Sequence, residues 1–200
     1  RANLTPYEFG QDATKYPLGK IKSAAEMAVN ATVDTLGQLR VMMRDPDAAV
    51  RYWGATGCII LAEKAARARS DLLRLCKDSS ADVRTAAAQA LFVLGEGGRA
   101  AVVLEAVMKE KNVFSRLRAM NVLDHMNETA RVAVARIAEF GDAEKIGAYG
   151  ENYIGNVINK AASDLGVSNS GDKGKNPRSK QRREGRDKGK SKGKKAKSKA

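Results

Sequence analysis

A single histidine, two cysteines and four prolines in 200 residues leave little material for several kinds of functional site. His125 has no second histidine with which to complete a metal site or a catalytic triad. Cys58 and Cys76 are too few for a disulfide framework and lack the companions that tetrahedral zinc requires. Both fall in apolar helical patterns, where a free cysteine packs as a small hydrophobe. Aromatics are scarce as well, at 5%, and alanine is used heavily, which favours closely packed helices. No stretch approaches the ~20 apolar residues of a membrane-spanning helix, and the first thirty residues lack the pattern of a signal peptide. Gly95-Glu96-Gly97-Gly98 is glycine-rich but lacks the Lys-Ser/Thr of a phosphate-binding loop, and it reads as a turn between helices. Beginning at Arg1, the chain reads as a processed product or a piece of something longer.

What is present begins with charge. The net charge is +13. From Gly171 to Ala200 ten lysines and four arginines stand against Asp172, Glu184 and Asp187, a net of +11, so residues 1–170 carry only +2. The tail after about Ser168 has no aromatic or aliphatic residue except alanine, and such a composition cannot offset the entropy of ordering its backbone. It is expected to be disordered. Its clusters around Lys180, Arg182, Arg183, Arg186, Lys194 and Lys195 are candidates for binding a polyanion, without the interleaved aromatics that stack on bases.

Hydrophobic residues make up 43% of the chain, and most of them are arranged in a repeat. Asp45-Pro46-Asp47-Ala48-Ala49-Val50-Arg51 is echoed by Asp78-Ser79-Ser80-Ala81-Asp82-Val83-Arg84 and more weakly by Asn112-Val113-Phe114-Ser115-Arg116-Leu117-Arg118. A degenerate fourth copy places Ile154-Gly155 at the same point. Each copy opens a helix with one apolar face: Val50, Gly54, Cys58, Leu61; Val83, Ala87, Leu91, Leu94; Leu117, Val122, Leu123, Met126; and Ile154, Ile158, Ala162, Leu165. A shorter apolar helix precedes each one, and Asp45-Pro46 breaks the chain between the first such pair. Gly95 and Gly166 follow two of the helices where a left-handed residue is favoured. Upstream, Thr5-Pro6-Tyr7-Glu8 has the form of a capping box, and Ile21, Ala24, Ala25 and Ala28 mark a helix that covers the first repeat.

This helix–turn–helix unit resembles a HEAT repeat in its short bacterial form, on Asp45 with Arg51 and Asp78 with Arg84. The resemblance implies an all-α fold, a short α-solenoid, with these residues paired between neighbouring repeats as a structural ladder. Asn112 and Arg118 are its weaker third rung. The expected layout is a linker and capping helix over 1–31, an array of three clear repeats and one degenerate repeat over 32–167, and the basic tail over 168–200.

A second resemblance is more particular. Thr5-Pro6-Tyr7-Glu8-Phe9-Gly10-Gln11-Asp12, then Lys15-Tyr16-Pro17-Leu18 and Ala24-Ala25-Glu26, is similar to the linker of bacterial sulfatases that carry a C-terminal HEAT-repeat extension. The segments Val50-Arg51-Tyr52-Trp53-Gly54-Ala55-Thr56-Gly57 and Arg118-Ala119-Met120-Asn121-Val122-Leu123-Asp124 are similar to that extension. The resemblance implies a parent that hydrolyses sulfate esters of glycans in the periplasm or outside the cell, with a calcium ion and a formylglycine in an upstream catalytic domain. Neither cysteine and no serine here stands in the Cys/Ser-x-Pro-x-Arg motif of that nucleophile, so the chain itself carries no catalytic, cofactor or metal residue of the family. The implied partner is the catalytic domain, met through candidate interface residues Tyr7, Phe9, Tyr52 and Trp53. The competing expectation is a free-standing protein-interaction scaffold whose tail docks on nucleic acid or another polyanion. In that case deleting residues 171–200 abolishes a polyanion affinity that falls steeply with salt, as a filter-binding titration at two salt concentrations would register.

Overall fold

A computed structural model describes residues 5–13, 16–141 and 151–167, apart from the side chains of residues 6, 9, 139–141 and 151–153. All of these belong to the first of the chain's two units, residues 1–169, and the basic tail lies outside the described residues. Every regular element among them is helical. Two helices, α1 (Pro6–Gln11) and α2 (Leu18–Val29), precede four helix pairs. The leading helices are α3 (Leu36–Met42), α5 (Arg69–Leu75), α7 (Gly97–Val107) and α9 (Arg131–Gly141). The trailing helices are α4 (Ala48–Leu61), α6 (Ala81–Val93), α8 (Val113–His125) and α10 (Glu151–Asp164). No described helix is long and apolar enough to cross a membrane.

Local chemistry sets the ends of these helices. At α1 the Thr5 hydroxyl accepts from the Glu8 amide at 3.2 Å while the Glu8 carboxylate accepts from the Thr5 amide at 2.8 Å, a reciprocal cap. Asp47, Ser80 and Asn112 cap α4, α6 and α8, each side chain accepting from an amide of the first turn. Gly95 (φ 84°) and Gly166 (φ 60°) take the left-handed conformation after α6 and α10. There the amides of Glu96 and Val167 close back on the carbonyls of Leu91 and Ala162 at 2.9 Å each.

The trailing helices form one continuous layer in which α2 packs on α4, α4 on α6, α6 on α8 and α8 on α10. Helix α2 therefore occupies the place of a trailing helix and buries Ala24 and Ala28 against the first repeat. Behind this layer each leading helix docks on its own trailing partner. The core has two parts. One runs from Leu36 and Leu39 through Cys58, Leu72 and Leu75 to Val83 and Leu91; the other from Ala88 and Leu104 through Met120 and Leu123 to Ile137 and Ile158. Helix α6 contributes to both, and its alanines (86, 87, 88 and 90, all fully buried) let helices approach it from several sides. In α8 the expected stripe holds at Val122, Leu123 and Met126, which are buried, while Leu117 is only partly so and Ala119 and Met120 join the buried face.

Helices α3 and α4 approach closely at Gly54. A Cβ there would lie 2.9 Å from the Leu39 carbonyl oxygen and 3.0 Å from the Met43 amide nitrogen, backbone atoms that cannot move without opening the α3–α4 pair. Gly54→Ala is thus expected to destabilise the fold, overpacking of about 1–3 kcal/mol outweighing the helix-propensity gain of up to ~1 kcal/mol. Gly37 in α3 has open space around its Cβ direction, so Gly37→Ala should stabilise by about 0.5–1 kcal/mol. Urea denaturation of the two variants checks both signs.

Candidate functional site: the charge ladder and the trailing-helix face

Before α4 and α6 a single carboxylate of the turn does two jobs. Asp78 accepts the Ser80 amide at 2.9 Å, which shapes the turn before α6. It also receives Arg51 from the preceding repeat in a two-pronged pair, Nε to Oδ2 at 2.7 Å and Nη2 to Oδ1 at 2.9 Å. The remaining arm of Arg51 donates to the carbonyls of Asp45 and Pro46 in its own turn, at 2.9 and 2.8 Å. Arg84 repeats this, donating to the carbonyls of Asp78 and Ser79 at 2.5 and 3.1 Å. Upstream, Lys20 of α2 meets Asp45 at 2.6 Å, so the capping helix supplies the first rung with an ammonium in place of a guanidinium.

The next rung corrects the sequence reading. Arg84 pairs with Glu110, not with Asn112. Asn112 is the N-cap of α8, its Oδ1 accepting from the amides of Phe114 and Ser115 at 2.9 and 3.2 Å. It is therefore the counterpart of Asp47 and Ser80, and Glu110, two residues earlier, is the counterpart of Asp45 and Asp78. The buried Arg116, four residues after the cap, stands where Arg51 and Arg84 stand, so Arg118 is not a ladder residue. Aligning the copies on an apolar–Arg dipeptide put the third one two residues out of register. The signal that finds it is the spacing: Asp45 to Arg51, Asp78 to Arg84 and Glu110 to Arg116 are each six residues apart.

A second set of ion pairs joins the leading helices. Asp71, only 3% exposed, accepts Arg40 at 2.7 Å and Arg44 at 2.9 Å from the repeat before it. In α7, Glu105 takes Arg136 of the following repeat at 3.4 Å and Lys109 at 3.5 Å. Glu96 gathers Arg69 and Arg99 at 2.9 and 3.0 Å. Gly95 and Glu96 thus link α6 to α7, whose first two residues are Gly97 and Gly98, and the glutamate ties the link to a neighbouring helix.

Released from the ladder, Arg118 crosses a whole repeat. Its guanidinium lies over the ring of Tyr52 in α4, 4.3 Å from the centroid, and Nη2 also donates to the tyrosine hydroxyl. Between them runs α6 with the small, fully buried Thr85, Ala86 and Ala88. Trp53 packs edge-on against Tyr52 at 5.2 Å, both half-buried. His125 is exposed at the end of α8 and meets Phe92 edge-on at 6.4 Å. Of the other candidate interface residues, Tyr7 is 76% exposed on α1, and the side chain of Phe9 lies outside the described residues. The tail candidates Lys180, Arg182, Arg183, Arg186, Lys194 and Lys195 lie outside them as well.

The thiols are held in their neutral form. Burial, with the nearby Asp71 charge adding to it, pushes Cys58 up to about 12, and burial pushes Cys76 up to about 11. Among the described residues no cluster of His, Cys, Asp and Glu could hold a metal ion.

Compared with known proteins, residues 70–98 match the family model of the HEAT repeat, a stretch covering α5, the turn and α6. No curated protein and no solved structure matches the chain.

Burial alone would raise the carboxyls of Asp45, Asp71 and Asp78, but their hydrogen bonds and cationic neighbours outweigh it and hold all three below the usual aspartate range. Their unfolded value is about 3.9, so their contribution is fully present above about pH 4 and is lost as pH falls through the lower folded values. An acid titration of the thermal midpoint should therefore be flat near neutrality and fall steeply below about pH 4. Asp78→Asn, which leaves Arg51 buried without its carboxylate, should cost about 3 kcal/mol, and Glu110→Gln at a more exposed rung about 1 kcal/mol or less. At pH 8 roughly one Cys58 in ten thousand and one Cys76 in a thousand is thiolate. Iodoacetamide should accordingly label both only slowly until the chain is unfolded in urea, as mass spectrometry would record.

Proposed function

We propose that this chain is a non-catalytic interaction module, a short HEAT-like array that packs against another protein surface, and that in its parent it is the accessory region of a sulfatase acting on sulfated glycans. The observation that supports the module most directly is how the charged groups are used. The arginines and carboxylates that recur along the sequence tie repeat to repeat, and the N-terminal end of the array leaves Tyr7, Leu18, Val29 and Val33 outward, 53–76% exposed. That end carries the residues similar to a sulfatase linker, which suits it to lie against an adjoining catalytic domain. The calcium and formylglycine chemistry then belongs to that domain, and the role of this chain is to position it or its substrate. The strongly basic tail favours a further contact with a sulfated glycan or another polyanion, read by charge and weakened by salt.

Two measurements test this reading. The reading frame upstream of Arg1 should encode a Cys/Ser-x-Pro-x-Arg motif, and a frame without one removes the sulfatase parent while leaving the interaction module standing. The purified chain should not hydrolyse 4-nitrophenyl sulfate with or without added calcium, and turnover by it would overturn the non-catalytic assignment.

A further inference from the structure

The chain is poor in aromatics, yet it does not scatter them. The four aromatic residues between positions 17 and 139, namely Tyr52, Trp53, Phe92 and Phe114, all lie on trailing helices, and the leading helices over that stretch have none. Two of these side chains, Tyr52 and Trp53, touch each other, and Tyr52 touches Arg118. Phe114 stands one turn before Arg118 on the same face of α8 and is 78% exposed. A large apolar ring left that open has no role in the core.

Arg118 differs from the half-buried arginines of the ladder and of α3. Arg51, Arg84 and Arg40 each end on a carboxylate, whereas Arg118 ends on an aromatic ring. Stacking fixes the plane of the guanidinium without neutralising it, and among the described residues its remaining N–H groups meet no carboxylate. Two acids lie on α4, α6 and α8: Asp124 is taken by Lys160 at 3.4 Å, and Asp82, in the first turn of α6, forms no ion pair with Arg118. A pre-oriented arginine flanked by tyrosine, tryptophan and phenylalanine is the residue combination that dominates protein–protein interfaces, and its free positive charge selects the partner's sign.

We propose that the patch where α4 and α8 meet over α6 docks a carboxylate-bearing segment of another protein, with a carboxylate paired to Arg118 and apolar side chains lying on Tyr52, Trp53 and Phe114. The inference rests on the interaction-module reading and gives that module a site and a partner chemistry.

The sole tryptophan, Trp53, reports on the patch directly. The full chain is titrated with an end-blocked peptide alternating glutamate with leucine and phenylalanine, and with its glutamine counterpart, while Trp53 emission is followed. The glutamate peptide should shift the emission saturably and bind about tenfold more tightly than the glutamine one. Arg118→Gln should weaken it about tenfold and Phe114→Ser about threefold, with Lys64→Gln, at an exposed site away from the patch, unchanged. The tail is present in every variant, so its attraction for acidic peptides cancels from the comparison. Because loss of the Arg118–Tyr52 contact also touches the fold, circular dichroism accompanies each variant, and the exposed Phe114→Ser carries the test if Arg118→Gln melts early. Equal affinity for the two peptides, or equal loss in Arg118→Gln and Lys64→Gln, overturns the site. So does an oligothymidine that binds with the same dependence on Arg118, since it assigns the patch to nucleic acid. Failure here leaves the module reading intact, whereas turnover by the chain strikes that reading instead.

Discussion

The rung between Arg51 and Asp78 is the contact on which the array's geometry depends. One carboxylate shapes the turn that launches α6 and simultaneously receives the guanidinium of the repeat before. The same guanidinium holds the carbonyls of its own turn. Local turn structure and the spacing between repeats are therefore set by the same atoms. At 12% and 8% exposure the two side chains are shielded from competing water, and each leaves the other uncompensated if removed. Lys20 and Asp45 extend the series to the capping helix, and Arg84 and Glu110 carry it onward, so that each turn is tied to the repeat on its N-terminal side.

The apolar packing works within limits that this ladder imposes. With repeats held at a fixed spacing, side chains between helices must fit the gap that remains. Gly54 and Gly57 lie against Leu39 because a Cβ at either place would fall within 3 Å of it. The alanines of α6 allow four neighbouring helices around it. The leading helices carry their own clamps, Asp71 fed from the repeat before it and Glu105 from the repeat after it. Each repeat is thus linked to the next through both its layers, as a quasi-linear array requires when no repeat can bury its apolar face alone.

Small residues at the middle of the array have a functional consequence. Because α6 presents Thr85, Ala86 and Ala88, the long side chains of α4 and α8 can meet above it. An arginine that the repeat pattern had no structural use for ends on a tyrosine, flanked by the few aromatics the chain possesses. The guanidinium there meets no carboxylate among the described residues. The much larger charge of the tail acts without a built site, by the number of its cations.

Much of this was written in the sequence because it is local. Six residues between a carboxylate and an arginine, a capping side chain before α4, α6 and α8, glycine after α6 and α10, and apolar steps of three and four are properties of a few consecutive residues, and they determine the helix–turn–helix unit by themselves. The third rung was legible too, in Glu110 and Arg116, but only to an alignment anchored on the cap, since the dipeptide Leu117-Arg118 imitates Val50-Arg51 and Val83-Arg84 two residues late. Tertiary structure alone decided the rest. Asp71 becomes a buried acceptor because α3 delivers Arg40 and Arg44 from about thirty residues away, and Arg118 reaches Tyr52 across 66 residues because the helix between them is made of small side chains. Such contacts depend on how helices stack, and stacking is set by the summed volumes of residues that no single stretch of sequence contains.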